Sequence, residues 1–206
     1  MKRYHIFLIA VFLISWILLS IHPWYPQDWF QENIMTLLWV PTIIVLGQYF
    51  LLSDLTYTII TIYLILHIIG AHYSYAQVPF GDTLGHMLGT GRNEYDRLLH
   101  FSFGFLIIWP IRELFVGLTE AEGFWSYFLP VNIIMSFSAL YEIFEWLSVR
   151  RLPPDIGYLF IGGSDPWDTQ KDMMMAFCGA VASTLLAALV VSIRTQIKKR
   201  KIPQNL

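Results

Sequence analysis

Long apolar segments, separated by short polar stretches, follow one another along almost the whole chain. Each segment is close to the ~20 residues that an α-helix needs to cross the hydrocarbon core of a bilayer. The pattern predicts an all-α, polytopic membrane protein that forms a single integral-membrane domain over residues 1–206. About six transmembrane helices are expected, at residues 6–21, 34–52, 55–72, 98–118, 127–147 and 173–193.

Local features support this division. Ser53 and Asp54 link the second and third predicted helices, and Ser53 offers an N-cap for the third. Pro41 and Pro110 lie inside two of the segments, where a proline kinks a membrane helix without breaking it. The sixth segment is rich in Ala, Gly and Ser, which allow helices to approach closely in lipid.

Two long loops remain, at residues 73–97 and 148–172, and both are dense in Gly, Pro and Asp. Loops of this length are uncommon in compact proteins and are often functional. The glycines of the first loop argue against a stable helix throughout it. The second loop has room for a short turn near residues 157–163.

Composition agrees with a membrane protein. Hydrophobic residues make up 56% of the chain and charged residues 14%, whereas soluble domains carry about 25% charged residues. Nucleic-acid binding is not expected, because the net charge is −2 and no basic stripe is interleaved with aromatic residues. The single cysteine, Cys178, lies in an apolar run and cannot form an internal disulfide, so we expect it to pack between helices.

Lysine and arginine orient the chain, because these residues are enriched in cytoplasmic loops. With six spans, both chain ends lie in one compartment, which then holds eight basic residues against five in the opposite loops. We therefore expect a bacterial inner-membrane protein with both termini in the cytoplasm and both long loops in the periplasm. The basic residues on the cytoplasmic side are Lys2, Arg3, Arg112, Arg194, Lys198, Lys199, Arg200 and Lys201; those opposite are Arg92, Arg97, Arg150, Arg151 and Lys171.

Four short polar motifs border the apolar segments, and this topology places all of them on the periplasmic side. Ionisable groups near a membrane core cost free energy and usually have a function. Within each of three motifs, the spacing of three, four or seven positions places the ionisable residues on one helix face. The motifs are DRLLH (96–100), EIFEW (142–146), DPWDTQKD (165–172) and HIIGAHY (67–73).

Residue types suggest how such a pocket works. His100, Glu142 and Glu145 are the candidate catalytic groups, since neighbouring carboxyls and an imidazole can act as general acid and base. Imidazole and carboxylate ligands also suit zinc, iron or manganese, so a divalent metal is a candidate cofactor. The same motifs supply further candidates: Asp96, Asp168 and Asp172 to orient a substrate or metal, and His67 and His72 as additional metal ligands.

Structural interpretations of the same residues stay open. Asp96 and Asp172 could each cap a helix N-terminus. His100 could be a buried neutral imidazole. Glu142 and Glu145 repel each other unless a proton, a metal or an arginine such as those at 150 and 151 holds them together.

At these motifs the sequence resembles the YjdF-like family of bacterial inner-membrane proteins, which has no assigned function, over nearly the whole chain. Its second half is more remotely similar to the VanZ-like family, whose founding member is associated with resistance to the glycopeptide teicoplanin. The resemblance implies that the polar motifs form one functional unit in the cell envelope. The matching residues are Asp96, Arg97, His100, Phe101, Glu142, Asp172 and Gly179, whereas Glu145 and Ala176 stand where the VanZ-like family has Gln and Asn.

The sequence therefore predicts an inner-membrane protein with a periplasm-facing His/Asp/Glu pocket that binds or modifies a lipid or a lipid-linked envelope precursor. Whether it is an enzyme stays open. One alternative is a small transporter or ion-handling protein, in which the acidic residues relay protons or cations. Another is a structural membrane partner whose polar network only fixes the helix register.

Overall fold

The computed structural model describes residues 2–50, 52–149 and 165–201. Within these ranges the chain forms seven helices and no strand, which confirms the all-α fold class. In chain order the helices are α1 (Arg3–Leu19), α2 (Pro26–Tyr49), α3 (Asp54–Tyr73), α4 (Pro79–Leu88), α5 (Tyr95–Thr119), α6 (Trp125–Val149) and α7 (Asp168–Lys201).

Five of the described helices, namely α2, α3, α5, α6 and α7, are long and apolar enough to cross a membrane. The apolar helix α1 has 17 residues, or ~25 Å at 1.5 Å per residue, somewhat less than a ~30 Å hydrocarbon core. It runs parallel to α3: Lys2 donates a hydrogen bond to Asp54 at 2.9 Å near the helix starts, and His72 Nδ1 lies 2.8 Å from the Leu19 carbonyl oxygen near the ends. The sixth span stays a prediction.

The start of α2 differs from its predicted bound, since the helix begins at Pro26 rather than at residue 34. Proline suits the first helical position because no amide is lost there. Asp28, Glu32 and Asn33 are polar but fully or almost fully buried in the bundle. Because these residues are polar, hydropathy alone predicts a loop for this first part of the helix.

A hydrogen-bond cluster ties α3 to α5 at one end of the bundle. Glu113 of α5 accepts hydrogen bonds from the Ser53 backbone N–H at 2.7 Å and from the Ser53 hydroxyl at 2.9 Å, and also from the Thr56 hydroxyl. The Ser53 hydroxyl accepts in turn from the Thr56 backbone N–H at 3.2 Å, so the predicted N-cap of the third helix is confirmed.

The first long loop contains the short helix α4. The helix does not extend through the loop, because Gly89 ends it in the left-handed conformation (φ 68°) that favours glycine. Gly85 is buried, and a Cβ there would collide with the carbonyl oxygen of Arg92. In the second long loop, residues 150–164 lie outside the described residues, and with them Arg150, Arg151 and the turn predicted near 157–163.

Helices α5 and α7 pack so closely that a glycine of each helix lies against the backbone of the other. A Cβ on Gly104 of α5 would collide with the carbonyl oxygen of Ala176, and a Cβ on Gly179 of α7 with that of Phe101. At this contact α5 forms one π-helical turn, Phe103–Ile107. The small residues of α7 thus serve the close packing that the sequence predicts.

The expectation for Cys178 is wrong, because this side chain is exposed on the surface of α7. Its neighbours Gly179 and Ala180 are buried and face the bundle instead. Each residue turns the direction of its side chain by about 100° around a helix. An apolar neighbourhood in the sequence therefore does not decide which residue reaches the interface.

Replacing Gly179 by Ala should lower the stability of the folded protein, because the added Cβ meets the backbone of α5. Overpacking of a tight interface costs ~1–3 kcal/mol. Gly117→Ala is the matched control, since within the described part of the chain its Cβ has no neighbouring atom within 4 Å. Thermal unfolding in detergent measures both variants, and equal melting temperatures would contradict the close approach of α5 and α7.

Candidate functional site

The polar motifs meet at one end of the bundle, which we call the site end. It is formed by the starts of α2, α5 and α7 and by the ends of α3 and α6. Contacts between side chains of these segments define it: α5 with α6, α5 with α7, and α2 with α3 and α6. Alternation of helix direction therefore brings together motifs that lie far apart in the sequence.

His100 lies among three carboxylates. Its Nε2 atom is 3.4 Å from Oε1 of Glu142 and 3.7 Å from Oδ1 of Asp96. One potential ligand atom from each of Asp96, His100 and Asp172 lies within 4.8 Å of the other two. We call Asp96, His100, Glu142 and Asp172 the carboxylate cluster.

Most of the carboxylate cluster is buried. The exposed fraction is 6% for His100, 4% for Glu142 and 2% for Asp172. Oε1 of Glu142 and Oδ1 of Asp172 have no hydrogen-bond partner among the residues that the structure describes. An unsatisfied buried polar atom costs ~1–3 kcal/mol of folding free energy, and a charged one costs more. Another interaction therefore has to offset this cost.

Helix capping does not explain these two aspartates. Helix α7 begins at Asp168, which places Asp172 in its second turn rather than at its N-cap. The N-cap of α5 is Glu94, and Asp96 follows inside the first turn. The capping interpretation is therefore wrong for both Asp96 and Asp172.

Basic side chains next to the cluster bind the aspartates at the start of α7. Arg97 Nη2 donates to Asp165 Oδ2 at 2.7 Å and to Asp168 Oδ1 at 3.0 Å, and Arg92 Nη1 donates to Asp168 Oδ1 at 2.5 Å. Lys171 Nζ donates to Asp165 Oδ2 at 2.6 Å and holds the pKa of that carboxyl below its usual range. We call Arg92, Arg97, Asp165, Asp168 and Lys171 the ion-pair network.

The ion-pair network lies against the carboxylate cluster. Arg97 Nε is 3.9 Å from Oδ1 of Asp172, too far for a hydrogen bond. Asp168, predicted to orient a substrate or metal, binds Arg97 and Arg92 and so fixes where these guanidinium groups lie. Asp168 also lies within electrostatic range of Asp96, His100 and Asp172.

Glu145 lies one helical turn after Glu142 on α6 and is partly buried. Both carboxyls lie within electrostatic range of Asp96. The predicted ion pair with Arg150 or Arg151 falls outside the described residues. Because Glu142 and Glu145 are three residues apart on α6, both carboxyls lie at the site end.

A second buried polar group, which the sequence did not reveal, lies next to the carboxylate cluster. Glu32 Oε2 accepts hydrogen bonds from the hydroxyls of Tyr75 at 3.0 Å and Tyr141 at 2.9 Å. The Tyr75 hydroxyl also lies 2.8 Å from Nδ1 of His67. We call Glu32, His67, Tyr75 and Tyr141 the tyrosine network. The ring of Tyr141 packs edge-on against that of His100 at 5.7 Å between centroids, so the two groups are in contact.

The chain turns sharply after α3 to bring Tyr75 into this network. Ser74 and Tyr75 both have positive φ values, 61° and 40°, a conformation that costs of order 1–3 kcal/mol for residues with a side chain. The ring of Tyr75 lies where a Cβ on Gly70 would be. Burial raises the pKa of the Tyr75 hydroxyl well above its ordinary value, so it serves as a hydrogen-bond donor.

Asp28 lies one turn before Glu32 and is fully buried. Neither of its carboxylate oxygens has a hydrogen-bond partner within the described ranges. The i, i+4 spacing of Asp28 and Glu32 is the signal that could have revealed them, because it places two acids on one helix face. Sequence reasoning missed both since it assigned residues 26–33 to a loop.

The two histidines predicted as additional metal ligands occupy different surroundings. His67 contacts Tyr75 and, through Nε2 at 3.4 Å, the Glu32 carbonyl oxygen. His72 bonds the Leu19 carbonyl oxygen and packs against the ring of Tyr73. Neither belongs to the group of potential ligand atoms around His100.

A cavity of about 270 Å³ lies between α2, α3, α5 and α6. His67, His100 and Tyr141 line it toward the site end, and apolar side chains form most of the remaining wall. Leu38 of α2 and Leu140 of α6 also line it, and they are 56% and 60% exposed on the outer surface. The cavity therefore extends from the lateral surface of the bundle to the imidazole of the carboxylate cluster.

Comparison with known proteins agrees with this architecture. A family model described as "Predicted membrane protein (DUF2238)" matches residues 4–192. The inner membrane protein YjdF of Escherichia coli (strain K12) is 30% identical over 161 residues, which are 78% of this chain and 77% of that protein. No solved structure matches the chain. The resemblance to the VanZ-like family is not tested by these comparisons and stays a prediction.

The family match covers nearly all of the described helices, including every residue of the carboxylate cluster. Five of these helices are long and apolar enough to span a membrane. On this evidence the chain is a membrane protein that belongs to the DUF2238 family and is a homologue of the inner-membrane protein YjdF.

Proposed function

We propose that the protein binds a membrane lipid or a lipid-linked envelope precursor, with an apolar chain in the cavity and a polar head at the site end. The observation that carries this proposal is the continuity of the cavity from the exposed Leu38 and Leu140 to His100. Ligand sites are typically concave, mostly apolar and equipped with a few convergent polar groups, which describes this cavity.

The position of the opening favours a ligand that arrives from the bilayer. Leu38 and Leu140 lie on the apolar outer surface of two helices that can span a membrane, so their exposed faces meet lipid. The gap between these helices is closed toward the site end by the hydrogen bond from Tyr141 to Glu32. Further from the site end, the rings of Trp39 of α2 and Phe137 of α6 pack edge to face at 5.1 Å between centroids. An acyl or isoprenoid chain fits such an opening better than a water-soluble solute does.

The polar head would meet groups able to move protons. His100 belongs to both the cavity wall and the carboxylate cluster. An imidazole beside carboxylates can act as a general acid or base. His100, Glu142 and Glu145 therefore stay our candidates for chemistry on the head group, with Asp96, Asp168 and Asp172 as positioning residues.

We also propose that six helices cross the membrane, that both termini are cytoplasmic and that the site end faces the periplasm. The contacts of α1 with α3 at both ends of the two helices support a sixth span. Six spans place both chain ends opposite the site end. The excess of lysine and arginine near the chain ends favours the cytoplasm for that side.

Filling the cavity should remove bound lipid. Ser138 of α6 lines the cavity and is 1% exposed, so Ser138→Leu places a larger side chain inside it. Ser136→Leu is the matched control, because Ser136 lies two residues earlier on the exposed face of the same helix. We expect Ser138→Leu to lower both the lipid that co-purifies in detergent, measured by native mass spectrometry, and the binding of cis-parinaric acid, measured by fluorescence. Ser136→Leu should leave both unchanged.

A second pair of variants keeps the test decisive if Ser138→Leu does not fold. Leu140→Trp narrows the opening from an exposed position, and Ile143→Trp makes the same change at an exposed position that does not line the cavity. We expect weaker lipid binding in Leu140→Trp than in Ile143→Trp. Folded Ser138→Leu and Leu140→Trp variants that bind lipid as well as their controls would reject the proposal.

Reporter fusions test the proposed orientation. Alkaline phosphatase, which is active only outside the cytoplasm, should be active when fused after Thr90 between α4 and α5. It should be inactive after Leu52, between α2 and α3, and after Leu206, whereas green fluorescent protein should fluoresce at these two positions. Active phosphatase after Leu206 would place the site end in the cytoplasm.

A further inference from the structure

The basic side chains near the carboxylate cluster make their side-chain ion-pair hydrogen bonds to other carboxylates, and Nε of Arg97 makes none within the described residues. Arg92, Arg97 and Lys171 direct their hydrogen bonds to Asp165 and Asp168. Arg97 approaches Asp172 no closer than 3.9 Å. Within the described part of the chain, the ion-pair network therefore leaves the carboxylates of the cluster without a hydrogen-bonded cation.

The unpartnered oxygens of the cluster belong to side chains that surround His100. Oε1 of Glu142 and Oδ1 of Asp172 lie in side chains that are more than nine-tenths buried, and each lacks a hydrogen-bond partner among the described residues. Oε1 of Glu142 and Oδ1 of Asp96 both approach the same imidazole nitrogen, Nε2 of His100. Carboxylates gather in a buried place only when protons or a cation neutralise them.

The donor atoms match a first-row divalent metal. One imidazole nitrogen with carboxylate oxygens is a ligand set found for zinc, iron(II) and manganese, whereas magnesium and calcium prefer oxygen alone. One potential ligand atom from each of Asp96, His100 and Asp172 lies within 4.8 Å of the other two, and metal–ligand bonds of ~2.0–2.2 Å to a shared ion are compatible with such a spacing.

Groups around the cluster are suited to hold such ligands in place. The ring of Tyr141 packs edge-on against the imidazole of His100. The backbone contact of Gly104 and Gly179 fixes α5 against α7 within two helical turns of His100 and Asp172. Ligands on rigid helices with supporting contacts bind metals more tightly than ligands on loops.

We infer that the carboxylate cluster binds one first-row divalent metal ion through Nε2 of His100 and the carboxylate oxygens of Asp96, Glu142 and Asp172. The ion would neutralise the carboxylates and present an electrophile to the head group of a molecule in the neighbouring cavity. This inference goes beyond lipid binding and does not depend on it, because the metal site is built from protein ligands alone.

Metal analysis of the purified full-length chain tests the inference. The protein should be isolated in detergent with a streptavidin-binding tag, since a polyhistidine tag binds metals itself. Mass-spectrometric element analysis should find about one zinc, iron or manganese ion per chain. His100→Gln and Asp172→Asn should each lower this content roughly tenfold or more, because each removes a direct ligand.

Matched controls separate ligation from general damage. His72→Gln removes an imidazole at the same end of the bundle, and Glu113→Gln a carboxylate at the opposite end. Both variants should keep the metal.

A cobalt(II) titration of chelator-treated protein gives a second readout that needs no activity. Cobalt(II) bound to nitrogen and oxygen ligands absorbs visible light, and these bands should appear in the wild type and be absent in Asp172→Asn. A wild-type protein that purifies without metal, shows no cobalt bands and gains no thermal stability from Zn²⁺ or Mn²⁺ would overturn the inference. Retention of metal in both His100→Gln and Asp172→Asn would overturn it too.

Discussion

Carboxylates that leave water have to be compensated by cations, protons or hydrogen-bond donors, and this constraint governs the site end of the bundle. Two forms of compensation lie side by side. Arg92, Arg97 and Lys171 neutralise the two aspartates at the start of α7, and phenolic hydroxyls donate to Glu32. In the carboxylate cluster, by contrast, Oε1 of Glu142 and Oδ1 of Asp172 have no hydrogen-bond partner within the described residues, and Arg97 stays 3.9 Å from Asp172, which makes the cluster the centre of the candidate site.

The backbone contact of α5 with α7 decides where this cluster can form. Gly104 follows His100 by one turn, and Gly179 follows Asp172 by about two turns. Because both glycines press against the backbone of the other helix, the helices cannot separate or rotate freely. The contact therefore sets the distance between the imidazole of His100 and the carboxylate of Asp172. Packing in the apolar part of the bundle positions the chemistry at its polar end.

The cavity and the carboxylate cluster share His100. Tyr141 donates to Glu32, lines the cavity and packs against His100, and His100 itself lines the cavity. An apolar chain in the cavity would bring its head group beside the imidazole. This arrangement accounts for the buried ionisable residues at the site end, and it is the physical basis for preferring a lipid ligand over a transported ion.

The sequence alone determined the helical class, the approximate positions of the membrane-spanning segments, the Ser53 cap and the residues that share one face of a helix, because hydropathy and helical spacing are local properties. The family followed from the same residues. Only the tertiary structure showed that Tyr141 bonds Glu32 and packs against His100, that His72 lies apart, that Cys178 faces outward and that a cavity reaches His100. These outcomes depend on the depth and rotation of each helix relative to the others, and those are set by contacts between residues far apart in the chain.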